Sequence, residues 1–412
     1  MKPLPALILL LAMHAAPEAF GARIPAGTEM SVRLTTRVAT DATTQATAAT
    51  NAKPVNVSAV VIAPVVADGN IVISPGAELS GRIKLSKAAT ETESAQLQLN
   101  FIELRRGALR VPMNAVVSGI DNARESVDDQ GVITGIVPNQ TLSARLNQGI
   151  GKLQQNDKLA ALAGLIQGAK QGLKIEDANP NIDYDAGAEL TVRITQPVEW
   201  KETAAAAPAL APFPNEGALI DLVNGQPFRT RTDQTNRPSD MTNLMFIGTE
   251  QELKNAFAKA GWSPAERLST QSKLETARAL IESRGYKEGP MSVLLLDGRP
   301  PDMSFEKGNN TFAERHHLRI FRRPGTFDGK PVWVCSATHD TAIDYSDRDR
   351  TFIHRIDPNI DAERAKVVSD LLFAGAVRSL ALVDRPDLPS DASNATGDPL
   401  RTDDRMAVLL LQ

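Results

Sequence analysis

One motif returns three times in the first half of the chain, and it restricts what that half can become. It reads Pro25-Ala26-Gly27-Thr28-Glu29-Met30-Ser31-Val32-Arg33-Leu34, then Pro75-Gly76-Ala77-Glu78-Leu79-Ser80-Gly81-Arg82-Ile83, then Ala186-Gly187-Ala188-Glu189-Leu190-Thr191-Val192-Arg193-Ile194. Each copy is a glycine-centred turn followed by alternating apolar and polar residues. Alternation at period two marks a strand with one buried face, so Met30, Val32 and Leu34 point one way and Ser31 and Arg33 the other. Glycine at the turn adopts backbone angles that other residues resist. Further strand-like runs lie at 57–66, 71–73, 95–104 and 109–117. Many short strands separated by turns predict an all-β domain over residues 23–199, a small barrel or sandwich.

A helical insert interrupts that domain at 141–174. Leu142, Leu146, Leu153, Leu159, Leu162, Leu165, Ile166, Ala169 and Leu173 recur at helical spacing. Gly164, Gly168 and Gly172 recur every four residues, a spacing that lets helices approach closely. Gln167, Lys170 and Gln171 make the segment too polar for a lone membrane span. It reads as a hairpin packed on the barrel or a mobile tip, or as a contact element for an envelope protein or for self-association.

Residues 1–21 read as a secretory signal peptide. Lys2 precedes an apolar run over 4–16, and Ala19-Phe20-Gly21 is a small-x-small cleavage site. The run is short for a bilayer span of about 20 residues. No later stretch is apolar enough to cross, so the mature chain is expected to lack a transmembrane segment. The expected location is outside the cytoplasm: periplasmic, secreted or attached to the cell envelope. Formal net charge is −4, with no basic stripe interleaved with aromatics, which argues against nucleic acid as a partner. The single cysteine, Cys335, cannot form an internal disulfide. It lies in Val332-Trp333-Val334-Cys335-Ser336-Ala337, which reads as a buried strand.

Residues 200–228 open with an Ala/Pro-rich stretch without apolar periodicity and read as a linker. The second domain, 229–412, mixes helices and strands. Strands are expected at 244–247, 291–296, 304–307, 316–323, 331–338, 351–356, 379–383 and 406–411. Thr249 with Glu252 forms a capping box for a helix ending at Gly261. Ser272 with Glu275 forms a second, for a helix ending at Gly285. Asp328-Gly329 is a hairpin turn, and Asp357-Pro358 starts the last helix, which ends at Gly375. This is an α+β domain with a mixed or antiparallel sheet.

The second half resembles the LssY C-terminal domain family. The matching pieces are Asn243-Leu244-Met245-Phe246-Ile247-Gly248, Ala260-Gly261-Trp262, Gly298-Arg299-Pro300-Pro301-Asp302, Arg315-His316-His317-Leu318-Arg319, Val332-Trp333-Val334, and Ile356-Asp357-Pro358-Asn359-Ile360-Asp361-Ala362-Glu363-Arg364. The resemblance implies a bacterial envelope-associated domain, sometimes fused to membrane modules, and implies no reaction. The three motif copies of the first half resemble the β-barrel of TrbI-type conjugation proteins.

Polar chemistry concentrates at 315–364, where every histidine beyond the leader lies: His316, His317, His339 and His354. Strand alternation separates His316, on the face of Leu318 and Ile320, from His317, which shares a face with Arg315 and Arg319. His316 therefore reads as a buried, hydrogen-bonded histidine. His317, His339 and His354 are the candidate catalytic residues if their strands are neighbours. Arg299, Arg315, Arg319 and Arg364 supply guanidinium forks for an oxyanion. Asp302, Asp357 and Asp361 complete the candidate binding set. Each has a structural reading too: an Arg299–Asp302 salt bridge across a proline turn, Asp357 as N-cap, and Asp361–Arg364 as an i,i+3 pair. No metal is assigned, because the histidine spacing matches no H-x-E-x-H or cysteine-rich pattern, and no cofactor is indicated. Two functions follow as expectations: an exported binding or accessory module, linked to secretion or surface polymer handling, or an envelope hydrolase acting on a phosphoester.

Overall fold

The structure is a computed structural model that describes residues 22–40, 56–67, 70–121, 123–156, 159–200, 210–265, 282, 291–307, 314–346, 351–389 and 392–412. The leader, most of the Ala/Pro-rich stretch and the capping box at Ser272 lie outside the described residues.

The first half is a six-stranded antiparallel barrel. Its strands are β1 (Glu29–Leu34), β2 (Asn56–Val61), β3 (Glu78–Lys87), β4 (Gln96–Arg106), β5 (Leu109–Ile120) and β6 (Glu189–Ile194). Each pairs with the next, and β6 closes on β1. The interior is aliphatic: Met30, Val32, Leu34, Leu190, Val192 and Ile194 are all buried, alternating with polar neighbours as the repeat requires.

The repeat has a structural meaning. Its first and third copies pair antiparallel with Glu189 opposite Arg33 and Arg193 opposite Glu29. The turn glycines close the ladder symmetrically, Gly27 N donating to Ile194 O and Gly187 N to Leu34 O. Both hold positive φ, +88° and +107°, which an L side chain resists. One sequence motif thus makes both halves of a local two-fold.

Between β5 and β6 the chain forms a helical hairpin, α1 (Leu142–Gln154) and α2 (Ala160–Gly172). Thr141 caps α1 by accepting from Ala144 N. Leu142, Leu159, Leu162, Leu165 and Leu173 are exposed, and a Cβ built on Gly164, Gly168 or Gly172 would meet nothing.

The second half holds one mixed sheet. Its strands are β7 (Leu244–Ile247), β8 (Trp262–Pro264), β9 (Met303–Lys307), β10 (Arg315–Phe327), β11 (Lys330–Ser346), β12 (Thr351–Ile356), β13 (Val377–Asp384) and β14 (Arg405–Leu411). The order is β8-β9-β10-β11-β7-β14-β13, with β12 on the far end of β11. Only the β7–β14 ladder is parallel.

Helices α4 (Glu250–Lys259) and α5 (Ile360–Phe373) cover one face. Leu253, Phe257, Val367 and Leu371 pack there on Leu244, Phe246, Leu318, Ile320 and Cys335. The capping box is complete, Thr249 Oγ1 accepting from Glu252 N and Glu252 from Thr249 N. The opposite face is covered by α3 (Glu216–Asn224), whose Leu219 and Val223 pack on Met245, Val334 and Val408. This helix lies inside the stretch read as linker. Its apolar residues are too few to stand out by periodicity, and Asn215 caps it through Ala218 N.

Candidate functional site

Strand register decides which polar groups meet. In the β10–β11 hairpin Arg315 faces Asp340, His316 faces His339, and His317 faces Thr338. Glu306 of β9 lies beside His317 from the other side. Arg315, His317 and Arg319 therefore share a face with Asp340, Thr338 and Glu306. It is the same face that α3 covers further along, where Phe321 and Val334 continue it. His316 and His339 point to the helix side.

Asp340 is the hub of this polar face. Its Oδ1 lies 2.9 Å from His317 Nε2, and its Oδ2 lies 3.3 Å from both Arg315 Nη2 and His354 Nδ1. Arg315 also reaches Glu306 at 3.6 Å, and Arg319 pairs with Asp240 at 3.1 Å while donating to Ser292 O. Asp340, His317, Arg315, Arg319 and Glu306 are all buried. Burial works against a charge on Asp340, but His317, His354 and Arg315 outweigh it and hold its carboxyl well below the usual range. Burial pulls the Arg319 guanidinium down, against the pull of Asp240 and Asp340. Of the group, only His354 keeps its side chain a quarter exposed. The arrangement is an accessible imidazole backed by a buried carboxylate, with a second imidazole and a guanidinium behind. His354 is the accessible imidazole of the group, its Nδ1 in ion-pair range of Asp340, the pairing that acid–base chemistry uses. His317 and Arg315 are walled in.

His317 and His354 thus converge on one carboxylate. His339 does not join them: its ring stacks on His316 at 4.2 Å, across the sheet from Asp340. Burial and the charge of His316 depress its basicity. His317 was expected beside arginines on a solvated or anion-binding face, and it is buried because Asp340 supplies the charge that lets that face close. His316 is buried as alternation requires, 2.7 Å from Glu363 and 3.3 Å from Asp121.

The other candidates scatter. Arg299 is exposed in a tight turn whose Asp297 and Gly298 carry positive φ. Asp302 accepts from the backbone N–H of Arg322 at 2.7 Å, which anchors the proline turn to β10 in place of the expected ion pair with Arg299. Asp357 is not the N-cap: that position is Asn359, and Asp357, two residues earlier, accepts from Asn359 N at 2.8 Å. Arg364 does pair with Asp361, at 3.1 Å, and also forks onto Asp403 at 2.9 and 2.8 Å. Burial raises the Asp361 carboxyl despite Arg364. These three close the C-terminal loop onto α5.

Several polar residues escaped sequence reading. Asp340 was visible as a carboxylate among histidines, but its partners depend on register. Glu306 and Asp240 stand in short strands, and only their charge at buried positions signals them. Arg385 is fully buried, stacks on Phe228 at 4.5 Å, and donates to Thr242 O, Gln226 O and Pro227 O. Burial lowers its pKa to about 10. Two clefts of about 450 and 510 Å³ occur among the described residues, the second between barrel and α5, and no histidine lines either. No group of three or more His, Cys, Asp or Glu among the described residues is arranged to hold a metal ion, and no helix there is long and apolar enough to cross a membrane.

Residues 223–406 match the family model described as LssY C-terminus. The match begins at the end of α3 and stops at the start of β14, so it is the second half of this chain, with α4, α5 and the mixed sheet, that is similar to the LssY C-terminus family. No curated protein matches the chain.

Proposed function

We propose that this is an exported bacterial cell-envelope protein that acts as a binding or accessory module, linked to secretion or surface polymer handling. The observation that carries the reading is how the charges of 315–364 are used. His317 and Arg315 close on Asp340, Arg319 on Asp240, His316 on Glu363, and Arg364 on Asp361 and Asp403. Buried groups paired this way hold the fold and do not greet a substrate. The apolar leader supports export.

The surface this reading assigns to contact is the α1–α2 hairpin. Soluble surfaces carry single leucines without consequence, but five on one hairpin beside open glycines form a patch. A second copy of the chain fits it, since two such hairpins offer each other leucines and bare backbone. The mature chain is expected to sediment as more than a monomer, and a Leu162→Ser/Leu165→Ser variant as a monomer. Both side chains are exposed, so the fold should survive. A monomer in both cases overturns self-association.

One observation favours a second reading, a hydrolase acting on an envelope phosphoester. His354 is a quarter exposed and lies 3.3 Å from the Asp340 carboxylate, a base beside a carboxylate as acid–base chemistry uses. On the binding-module reading, a phosphoester screen gives no turnover that His354→Ala removes. Turnover lost by about a hundredfold or more in that variant would establish the hydrolase instead.

A further inference from the structure

The barrel meets the C-terminal domain through charges of opposite sign. The barrel side supplies Glu189 and Asp121, and the domain side supplies Lys307, Lys366 and His316. Glu189 contacts Lys307 and lies 3.1 Å from Lys366. Asp121 lies 3.6 Å from Lys366 and 3.3 Å from His316. Arg33 of the barrel donates to Ala260 O at 2.7 Å and to Glu189 at 2.8 Å. Its guanidinium fills the space a Cβ on Gly261 would need. The first member of the barrel's two-fold pair, Arg33–Glu189, is therefore the docking element, while its counterpart residues at the other end of the ladder, Arg193 and Glu29, bond within the barrel to Asp129 O and Ser118.

All but one of these cations are lysine or arginine, which keep their charge to high pH. His316 is the exception, and it is placed where its charge matters most. Its Nδ1 faces Glu363 at 2.7 Å, and Glu363 has a side chain only 2% exposed, with its other oxygen unpartnered. His316 Nε2 faces Asp121 across the joint. The remaining titratable neighbours are His339, stacked on the ring, Lys366 and Lys307, which act on Asp121, and Glu314, whose carboxyl is raised by burial and by Asp121.

We propose that this joint is a pH-sensitive clasp: His316, as an imidazolium between Glu363 and Asp121, tightens the barrel against the C-terminal domain, and loss of its proton loosens the joint and widens the cleft between them. Burial alone would lower the imidazole, but Glu363 and Asp121 overcome it and raise its pKa from 6.5 to about 9. A histidine raised further by closure stabilises the closed form below its open-form value and loses that contribution as pH climbs through about 9. Glu363 stays with His316 when the joint opens, so the linkage to closure is the Asp121 share of that rise alone. Depressed carboxyls act at the other end: Glu189, buried but surrounded by Lys307, Lys366 and Arg33, is lowered to about 2, so its share is lost only in strong acid. The clasp is therefore expected to hold from about pH 5 to 8 and to open on the alkaline side.

The test uses the mature chain with spin labels at Ala108→Cys on the barrel and Gln251→Cys on α4, both exposed; Cys335 is buried and stays unlabelled. Interdomain distances measured from pH 6 to 10.5 should be narrow below pH 8 and broaden with a midpoint near 9. His316→Gln should be broad across the whole range. If that variant folds poorly by circular dichroism, Asp121→Asn, on a partly exposed barrel residue, removes only the cross-joint arm and should move the midpoint to lower pH. A wild-type distribution unchanged to pH 10.5, or a midpoint indifferent to Asp121→Asn, overturns the proposal.

Discussion

Asp340→Asn is expected to destabilise the C-terminal domain by about 3–5 kcal/mol, the cost of leaving buried charge without its counter-ion. Two imidazoles and a guanidinium converge on this carboxylate, and two of these groups, His317 and Arg315, are buried themselves. Asparagine keeps the volume, so packing is not the variable. The amide keeps one acceptor but loses the charge, and its NH₂ donors then face nitrogen donors. Arg315 keeps its charge and loses the carboxylate at 3.3 Å, with Glu306 at 3.6 Å beside it. Tryptophan fluorescence during urea unfolding reads the effect, because Trp262 and Trp333 lie in the C-terminal domain and Trp200 in the barrel. The C-terminal transition should move to lower urea. A midpoint within about 0.5 kcal/mol of wild type, the scale of an ordinary surface change, would sink the claim that Asp340 neutralises this face. The stabilisation has a pH signature with the opposite sign to that of His316. A depressed carboxyl contributes fully above about 3.9 and is lost as pH falls below it.

What could be read from sequence followed the range over which each signal acts. The turn glycines at 27, 76 and 187, the Thr249–Glu252 box and the Asp328-Gly329 turn depend on residues within four positions of each other. Each forms as the local chemistry dictates, with Asp328 and Gly329 both at positive φ. Alternation along β10 likewise separated His316 from His317. What sequence could not supply was register. His339 was grouped with His317 and His354, but one residue of register puts it on the other face beside His316. Helix α3 was lost for a different reason. A nine-residue helix that buries Leu219 and Val223 presents too few repeats to distinguish from a loop. The joint was least legible. Arg33, Asp121, Glu189 and Lys366 are scattered over 334 positions, and nothing local marks them as partners.

The barrel offers the sharper mechanical test, at Gly81. This glycine lies in the second copy of the repeat, where the β3–β4 register shifts between Ser80 and Gly81. A Cβ there would sit 2.3 Å from Asn100 O and 2.8 Å from the Phe101 Cα. Both are backbone atoms of β4, so no side chain can rotate away and the strands themselves must part. Gly81→Ala is therefore expected to destabilise the barrel by about 3 kcal/mol, the upper range for overpacking a rigid site. Gly76→Ala, five residues earlier, is the matched comparison. Its φ is +89°, yet a Cβ would meet nothing. Its cost is backbone strain alone, about 1–2 kcal/mol. The two variants separate close approach from conformational freedom within one motif copy. Urea unfolding followed at Trp200 should place Gly81→Ala well below Gly76→Ala, and equal midpoints would mean that β3 and β4 can move apart and that the barrel is softer than its closed ladder implies.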